Sequence, residues 1–347
     1  MNVIILAGGY GQRLWPLTQE FPKALLRLAG KPVLFHLLEN ISHISGVSSI
    51  IIATDESKKH FFKNSVNDIE IISNVRPEFS YHKANADGSV KGPLQKVSEI
   101  LKSREQTFTS DDFLVVGGDN VFGFDLSEFY YFYLKEGTSC NAIQQHVEPA
   151  DVSQFGVPTL DNADRLTGFV EKPSTTRHRF VSTACYLLLK SDIERVDEYI
   201  AKGYRDTLGE FIRSLLLQIE IIGYRFKKDW YDIGTREGIL SANGFLMRWK
   251  ESNTKEPNHL FGRTEITPPV YVEDTAIIND SAIGPNVYIG KESRILQSSI
   301  QNSIVYDRCV LQNCNLKNSI IGSDSRMEGS VSEAVFGPNT LSIIETR

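Results

Sequence analysis

Long hydrophobic runs are the first thing missing from this 347-residue sequence. No stretch approaches the roughly 20 apolar residues that a membrane-spanning helix needs. The opening run Val3 to Ala7 is far shorter and follows no basic leader, so it is expected to be neither a signal peptide nor an anchor. Positive charge is also short, with 37 Lys and Arg against 43 Asp and Glu, a net charge of -6 and no basic run. That excludes a surface built to grip nucleic acid backbone, so any anionic ligand has to be met by a local pocket. Cysteine is scarce: Cys140, Cys185, Cys309 and Cys314 make no CxxC pair and no dense framework. Neither a zinc site nor a disulfide scaffold is implied, and a reducing cytoplasm fits best. Histidine is absent after His259.

What is present begins with the first dozen residues. A short Val- and Ile-rich run ended by glycine suits a central parallel strand covered on both faces. The turn that follows, Gly8-Gly9-Tyr10-Gly11-Gln12-Arg13, lacks the Gly-Lys-Ser/Thr of a P-loop and the last glycine of the dinucleotide fingerprint. A glycine turn leaving a strand lets backbone N–H groups approach an anion with no Cβ between them. Alone it would suit a plain strand-to-loop turn about as well. Arg13 at its end and Lys23 after Pro22 supply two cations able to reach phosphates held there.

The length allows more than one domain. Apolar residues fall at helical spacing over Pro32 to Ile44, and a β-rich run follows at Ser49 to Ala53. The alternation returns with a helix over Pro93 to Leu101, a strand over Asp112 to Gly117 and a helix over Phe129 to Lys135. Strands alternating with helices predict a doubly wound α/β sheet, which binds ligands beyond the carboxyl ends of its strands. The glycine turn sits at one such end and Gly118-Asp119-Asn120 at another.

Beyond about residue 262 the texture changes. Ile277, Ile283, Ile289 and Ile295 fall six apart, and after a slip the step resumes at Ile304, Val310 and Leu316. This period predicts a parallel β-helix with three short strands per coil, the alternative being a few irregular antiparallel strands. Asn302, Asn313, Asn315 and Asn318 are expected at its corners, where Asn tolerates unusual backbone angles. The polar stretch Glu251 to His259 reads as linker. The expected division is therefore a doubly wound α/β domain over 1–250, a linker over 251–262 and a β-helix over 263–347.

LAGGYGQRLWPLT followed by FPKALLRLAGKPVL resembles the signature of the sugar-1-phosphate nucleotidyltransferases, the nucleotide-sugar pyrophosphorylases. Further matches follow in order: GGDNVF at 117–122, FGV at 155–157, GFVEKP at 168–173 and WYDIGT at 230–235. With the repetitive tail the resemblance covers nearly the whole chain and is greatest to long-form glucose-1-phosphate thymidylyltransferases. It implies a Rossmann-like doubly wound mixed sheet followed by a left-handed parallel β-helix. The implied reaction is attack of a sugar 1-phosphate on the α-phosphorus of a nucleoside triphosphate, with pyrophosphate leaving. It also implies that the backbone of Leu6, Ala7, Gly8, Gly9 and Gly11, with Gly92 and Asp119, binds the nucleotide. Arg13 would steady the pyrophosphate and Lys23 neutralise oxygens near the α-phosphorus. Glu171 would bind sugar hydroxyls, Lys172 the sugar phosphate, and Gly156 the sugar wall. Asp119 and Asp232 would hold Mg²⁺, a hard ion suited to carboxylate and phosphate oxygens.

Taken singly, these residues have plainer readings. Asp119 could cap the next segment, Asp232 could pair with Arg236, and Glu171 with Lys172 could be an ordinary charged pair; the motifs around them favour the functional roles. Trp15 and Trp230 read as packing residues. No general base is required, because the sugar phosphate brings its own anionic nucleophile.

GDNxF resembles the thymidylyltransferases, which favours dTTP with glucose 1-phosphate, while RLWPLT and FVEKP are also shared with mannose-1-phosphate guanylyltransferases. In ADGSVKGPLQKV, Gly92 matches a base-contacting glycine but the family's glutamine has no clear counterpart. Bifunctional relatives carry an acetyltransferase histidine in the β-helix; with none here, the tail is expected to serve assembly or allosteric contact in a homo-oligomer. A catalytically idle regulatory subunit is the alternative of another class, and intact Arg13, Lys23, Asp119, Lys172 and Asp232 speak against it. A dinucleotide-dependent oxidoreductase lacks both its third glycine and its ribose-binding acid.

Overall fold

The computed structural model describes residues 1–9, 11–65, 75–108, 112–145, 152, 154–249, 255 and 259–343. They form two compact units, one of 1–9 with 34–230 and one of 10–33 with 231–347. This division cuts across the boundaries expected at 250 and 262. Among the described residues no helix is long and apolar enough to cross a membrane.

The first unit is built on a nine-stranded mixed sheet. Its strands are β1 (Asn2–Leu6), β2 (Ser49–Asp55), β3 (Glu78–His82), β4 (Asp112–Gly117), β5 (Cys140–Gln145), β6 (Gly156–Leu160), β7 (Leu166–Glu171), β8 (Phe180–Leu189) and β9 (Ile222–Phe226). The main path runs β7-β6-β8-β4-β1-β2-β3, with β5 pairing both β8 and β9. β1 is parallel to β2 and β4, setting Ile4 beside Ile51 and Val115, whereas β8 runs antiparallel to β4. Val3, Ile4 and Ile5 are all fully buried, as a run apolar on both faces of the strand requires.

Helices take the positions that the periodicity indicated; the one expected over Pro32 to Ile44 is shorter, Val33–Ile41, and the next two extend past their expected ends. The helix Pro93–Arg104 begins with Pro at its first position, where the missing N–H costs nothing, and buries Leu94, Val97 and Ile100 against the sheet. The helix Leu126–Glu136 is capped by the Asp125 carboxylate, which accepts from the Ser127 N–H, and ends at Gly137 in the left-handed region (φ 67°).

In the second unit the tail winds into coils of parallel strands. Three rows of strands stack: one through Ile277–Asn279 and Arg294–Leu296, a second through Ala282–Ile283 and Ser299–Gln301, a third through Val287–Ile289 and Ile304–Val305. Equivalent residues are 17 apart at Val270↔Val287, 16 at Ile304↔Ile320 and 15 at Arg326↔Leu341. Leu260↔Ile278 spans 18 residues, but from Glu265↔Ala282 onward the coil is shorter than three full six-residue steps, which is the physical origin of the slip in the sequence rhythm. The inward row runs Ile278, Ile283, Ile289, Ile295, Ile300, Val305, Leu311, Leu316, Ile321 and Met327, all no more than 4 % exposed. Ile277 and Val310, which belong to the six-residue step, lie outside that row and are only half-buried.

Asn302, Asn313 and Asn318 occupy corners with positive φ, as do Asp280, Asn286, Glu292, Gln297, Arg308 and Asp324. Asn315 does not: it lies exposed within the strand Val310–Lys317, beside Ser299. Buried serines stitch successive coils together. Ser298 Oγ accepts the Cys314 N–H at 3.0 Å and donates to Leu296 O at 2.7 Å, while its own N–H donates to Ser281 Oγ. Ser293 serves Cys309 and Ser303 serves Ser319 in the same way. All four cysteines are free and buried.

Of the expected linker, residues 251–254 and 256–258 lie outside the described residues. The first coil strand, Leu260–Phe261, lies within the stretch read as linker and pairs with Ile278 and Asn279. Segment 10–33 belongs to the same unit as the coils. Arg27 is 3.5 Å from Glu273, Tyr306 Oη donates to Arg27 O at 3.3 Å, and Gly30 (φ 82°) leaves room for the Tyr271 ring.

Candidate active site

In the first unit the carboxyl ends of β1, β2 and β4 meet. The Ala7 N–H donates to Ala53 O at 2.8 Å and the Gly118 N–H to Leu6 O at 2.9 Å, so the ladder continues one residue past β1 before the chain turns at Gly8. Leu6 and Ala7 are half-buried while Gly8 and Gly9 are exposed. A Cβ on Gly8 would stand where the Lys96 ammonium lies, whereas one on Gly9 would meet nothing within 4 Å. Gly92 caps the helix Pro93–Arg104, and a Cβ there would strike the Asp206 carboxylate. Asp206 accepts the Leu94 N–H at 2.7 Å and the Gln95 N–H at 3.4 Å, an N-terminal cap supplied from over a hundred residues away. Burial nevertheless pushes its carboxyl above the usual range.

Asp119 sits in the turn after β4, its Oδ1 2.9 Å from the place a Cβ on Gly117 would take. Asn120 is buried and holds that turn: its Nδ2 donates to Gly117 O at 3.0 Å and its Oδ1 accepts from Trp230 Nε1 at 2.8 Å. Trp230 is itself buried, edge-on to Phe155. Trp15, read from sequence as a packing residue, is 46 % exposed.

A second group in this unit gathers around Glu171, which ends β7 opposite Gly156 of β6. Its Oε2 would lie 3.2 Å from a Cβ on Gly156, and a Cβ on Gly209 would collide with it outright. The Phe169 ring crowds both glycines. Lys172 follows in the left-handed region (φ 47°), donates its N–H to Phe155 O, and holds its ammonium 3.9 Å from Glu171. Burial raises the Glu171 carboxyl above its ordinary value; Lys172 and Arg205 oppose that rise and Glu210 adds to it.

The second unit assembles a different set. Gly11, at φ 55°, starts the short 3₁₀ turn Gln12–Leu14, and Thr18 Oγ1 donates to its carbonyl at 2.7 Å. Lys23 opens another such turn after Pro22, with Ala24 and Leu25 buried beneath it. Lys23 Nζ stands 3.5 Å from Asp232 Oδ1. Arg13 Nη2 is 2.7 Å from where a Cβ on Gly234 would be, and Asp232 Oδ1 is 3.1 Å from the same point. Gly234 is therefore the opening through which Arg13 comes alongside Asp232. Thr235 Oγ1 then accepts the Gly238 N–H at 3.0 Å at the start of the helix Arg236–Trp249. Arg236, the plainer partner for Asp232, instead binds Glu237.

The predicted residues thus fall into three clusters: Leu6, Ala7, Gly8, Gly9, Gly92 and Asp119; Gly156, Glu171 and Lys172; and Gly11, Arg13, Lys23 and Asp232. Sequence reading missed Lys96, Asp55, Asp206, Gly209 and Gly234. Gly234 and Lys96 lay inside quoted segments, WYDIGT and ADGSVKGPLQKV. The others are joined to their partners only by folding.

A family model described as nucleotidyl transferase matches residues 2–248. The bifunctional protein GlmU of Methanocaldococcus jannaschii is 26 % identical, over 94 % of this chain and 82 % of its own. Mannose-1-phosphate guanylyltransferase 1 of Arabidopsis thaliana is 26 % identical, over 83 % of this chain and 76 % of its own. A solved UDP-glucose pyrophosphorylase complexed with UDP-glucose, 22 % identical, shares the fold with a TM-score of 0.59 over 72 % of this chain and 99 % of that one.

Proposed function

The chain belongs to the nucleotidyl transferase family, and from that premise we propose that it joins a nucleoside triphosphate to a sugar 1-phosphate, releasing pyrophosphate. The observation that carries this reading is the convergence of Arg13 and Lys23 on Asp232, with Lys23 Nζ 3.5 Å from the carboxylate. Transfer between two polyanions needs cations fixed where charge builds up on the transferring and leaving groups. Lys23 offsets charge at the α-phosphate and Arg13 at the departing pyrophosphate. A phosphate oxygen of the sugar 1-phosphate forms the new bond to the α-phosphorus as the bond to the bridging oxygen breaks, so no protein nucleophile takes part.

Asp119 and Asp232 are the proposed Mg²⁺ ligands. Among the described residues no three acidic, His or Cys side chains cluster as a metal cage; Mg²⁺ bound beside phosphates needs only one or two carboxylates, the substrate and water completing its shell. When bound, the ion would neutralise phosphate charge. Glu171, whose carboxylate takes the room left by Gly156 and Gly209, receives sugar hydroxyls, and Lys172 receives the sugar phosphate.

For the substrate pair we propose dTTP with glucose 1-phosphate, which rests on the GDNxF motif. GTP with mannose 1-phosphate is the second reading, supported by the guanylyltransferase relative. A homo-oligomer and a cytoplasmic location complete the proposal. Mg²⁺-dependent pyrophosphate release across a grid of nucleoside triphosphates and sugar 1-phosphates tests it. Release with one pair identifies the substrates; silence across the grid points to an idle regulatory subunit.

A further inference from the structure

Lys96 is 3 % exposed, and its ammonium is 2.6 Å from the carboxylate of Asp55, whose side chain is 14 % exposed. Such a pair gives up hydration that its mutual attraction only partly restores, and two apolar side chains of the same volume would serve stability as well. Its place in the fold suggests what the charges are kept for. Asp55 ends β2, Lys96 lies one turn into the helix that starts at Gly92, and the ammonium fills the space beside Gly8 that any other residue's Cβ would need. One side chain therefore touches three segments at the carboxyl edge of the sheet, where doubly wound sheets take their ligands. Asp206 and His82 also lie within electrostatic reach of Lys96. Asp206 is bound to the first N–H groups of the same helix, so both ends of that helix's first turn are tied down by carboxylates.

We propose that Lys96 and Asp55 form a positioning pair for the nucleoside triphosphate. The inference rests on the nucleotidyltransferase reading. Lys96 keys the turn at Gly8 to the helix at Gly92, the two backbone segments assigned to the nucleotide, and so fixes the spacing between them. Gly8 is glycine on this account because the ammonium must press against the turn.

The test is a double variant, Lys96→Met with Asp55→Asn, which removes both charges together and keeps the volumes, so that no lone buried ion is left behind. Steady-state kinetics on the most active substrate pair are measured beside calorimetric binding of the nucleoside triphosphate and a thermal melt. The expected result is a KM for the nucleotide raised about tenfold or more, with matching loss of affinity, while the KM for the sugar 1-phosphate stays within about twofold. The melting temperature should equal or exceed that of wild type. Unchanged nucleotide KM and affinity would overturn the proposal. So would a lower melting temperature with both KM values and kcat impaired alike, the mark of a pair that only holds the fold. A wild-type protein that neither binds nor turns over any nucleoside triphosphate would sink the underlying reading and this inference with it.

Discussion

Gly209 lies so close to Glu171 that a Cβ at position 209 would take the space of the carboxylate oxygen Oε2. The two residues come from different elements, the start of the helix Leu208–Leu215 and the end of β7, and the part able to yield is the carboxylate at the end of the flexible Glu171 side chain. Gly209→Ala should therefore turn the carboxylate away from the slot it shares with Gly156. We expect the KM for the sugar 1-phosphate to rise by about tenfold or more, the nucleotide KM staying within about twofold. A rise in the nucleotide KM alone would refute the sugar assignment.

Glu171 also predicts a pH dependence. Burial raises its carboxyl above 4.5, its ordinary value, so the folded state holds this proton more tightly than the unfolded chain. Its contribution to stability is fully present below 4.5 and is lost as pH rises through the raised value. In the proposed role of Glu171 sugar binding runs the other way, because hydroxyl donors need the ionised form. The sugar KM should climb as pH falls, beginning at a higher pH than an exposed glutamate would give. Glu171→Gln should flatten that limb relative to wild type, measured by initial rates at saturating nucleotide. An unaltered limb would show that another group titrates.

For the phosphate-handling cluster, Lys23→Ala should lower kcat by about 100-fold or more, as removal of a fixed transition-state cation does, with the melting temperature nearly unchanged. Lys23 is partly exposed and Ala24 and Leu25 carry the packing beneath it, so loss of the ammonium leaves the turn supported. Asp119→Ala should be comparably inactive at any Mg²⁺ concentration. Wild-type turnover in either variant would remove its assigned role.

In the coils, Ser298→Ala deletes a hydroxyl that accepts from Cys314 N–H and donates to Leu296 O. Leaving a buried N–H without its acceptor costs about 1–3 kcal/mol. The thermal melt should shift downward while kcat is preserved. An unchanged melt would mean that the neighbouring strand bonds compensate.

Much of this architecture is legible in the sequence because it is written in local rhythm. The run at Asp112–Gly117 and the Pro93 start were found at their true positions, since a strand bounded by glycine and a helix opened by proline depend on immediate neighbours. The helix continues past Leu101 to Arg104 because Lys102, Ser103 and Arg104 are polar and carry no apolar period to mark an end. The coils were legible as coils, but counting by sixes picks out Ile277 and Val310, which lie outside the inward row, since a coil of 15 to 17 residues must drop a residue at some corners. The serine stacks gave no signal, because Ser reads as surface and only its register with the next coil reveals it.

The candidate site was legible where it is carried by short motifs, as at Gly8, Lys23 and Glu171, whose roles are proposals. It was silent where a partner arrives from afar, as Asp206 does at Gly92 and Lys96 at Gly8. Base preference is least legible of all. The Asn120 side chain, which distinguishes GDNxF from its variants, has its amide engaged by Gly117 and Trp230 and so reports on how the turn is held.

The step between paired residues of successive coils shortens from 18 to 17, 16 and 15 along the tail, so the coils are not interchangeable. A prism of equal coils could gain or lose one by duplication or deletion and still stack. Here each coil's corners are matched in length to those of its two neighbours, and one copied elsewhere would set a corner of the wrong length against them. The number of coils is thereby fixed by their geometry, and lineages of this chain should vary in the residues at its corners far more readily than in its length.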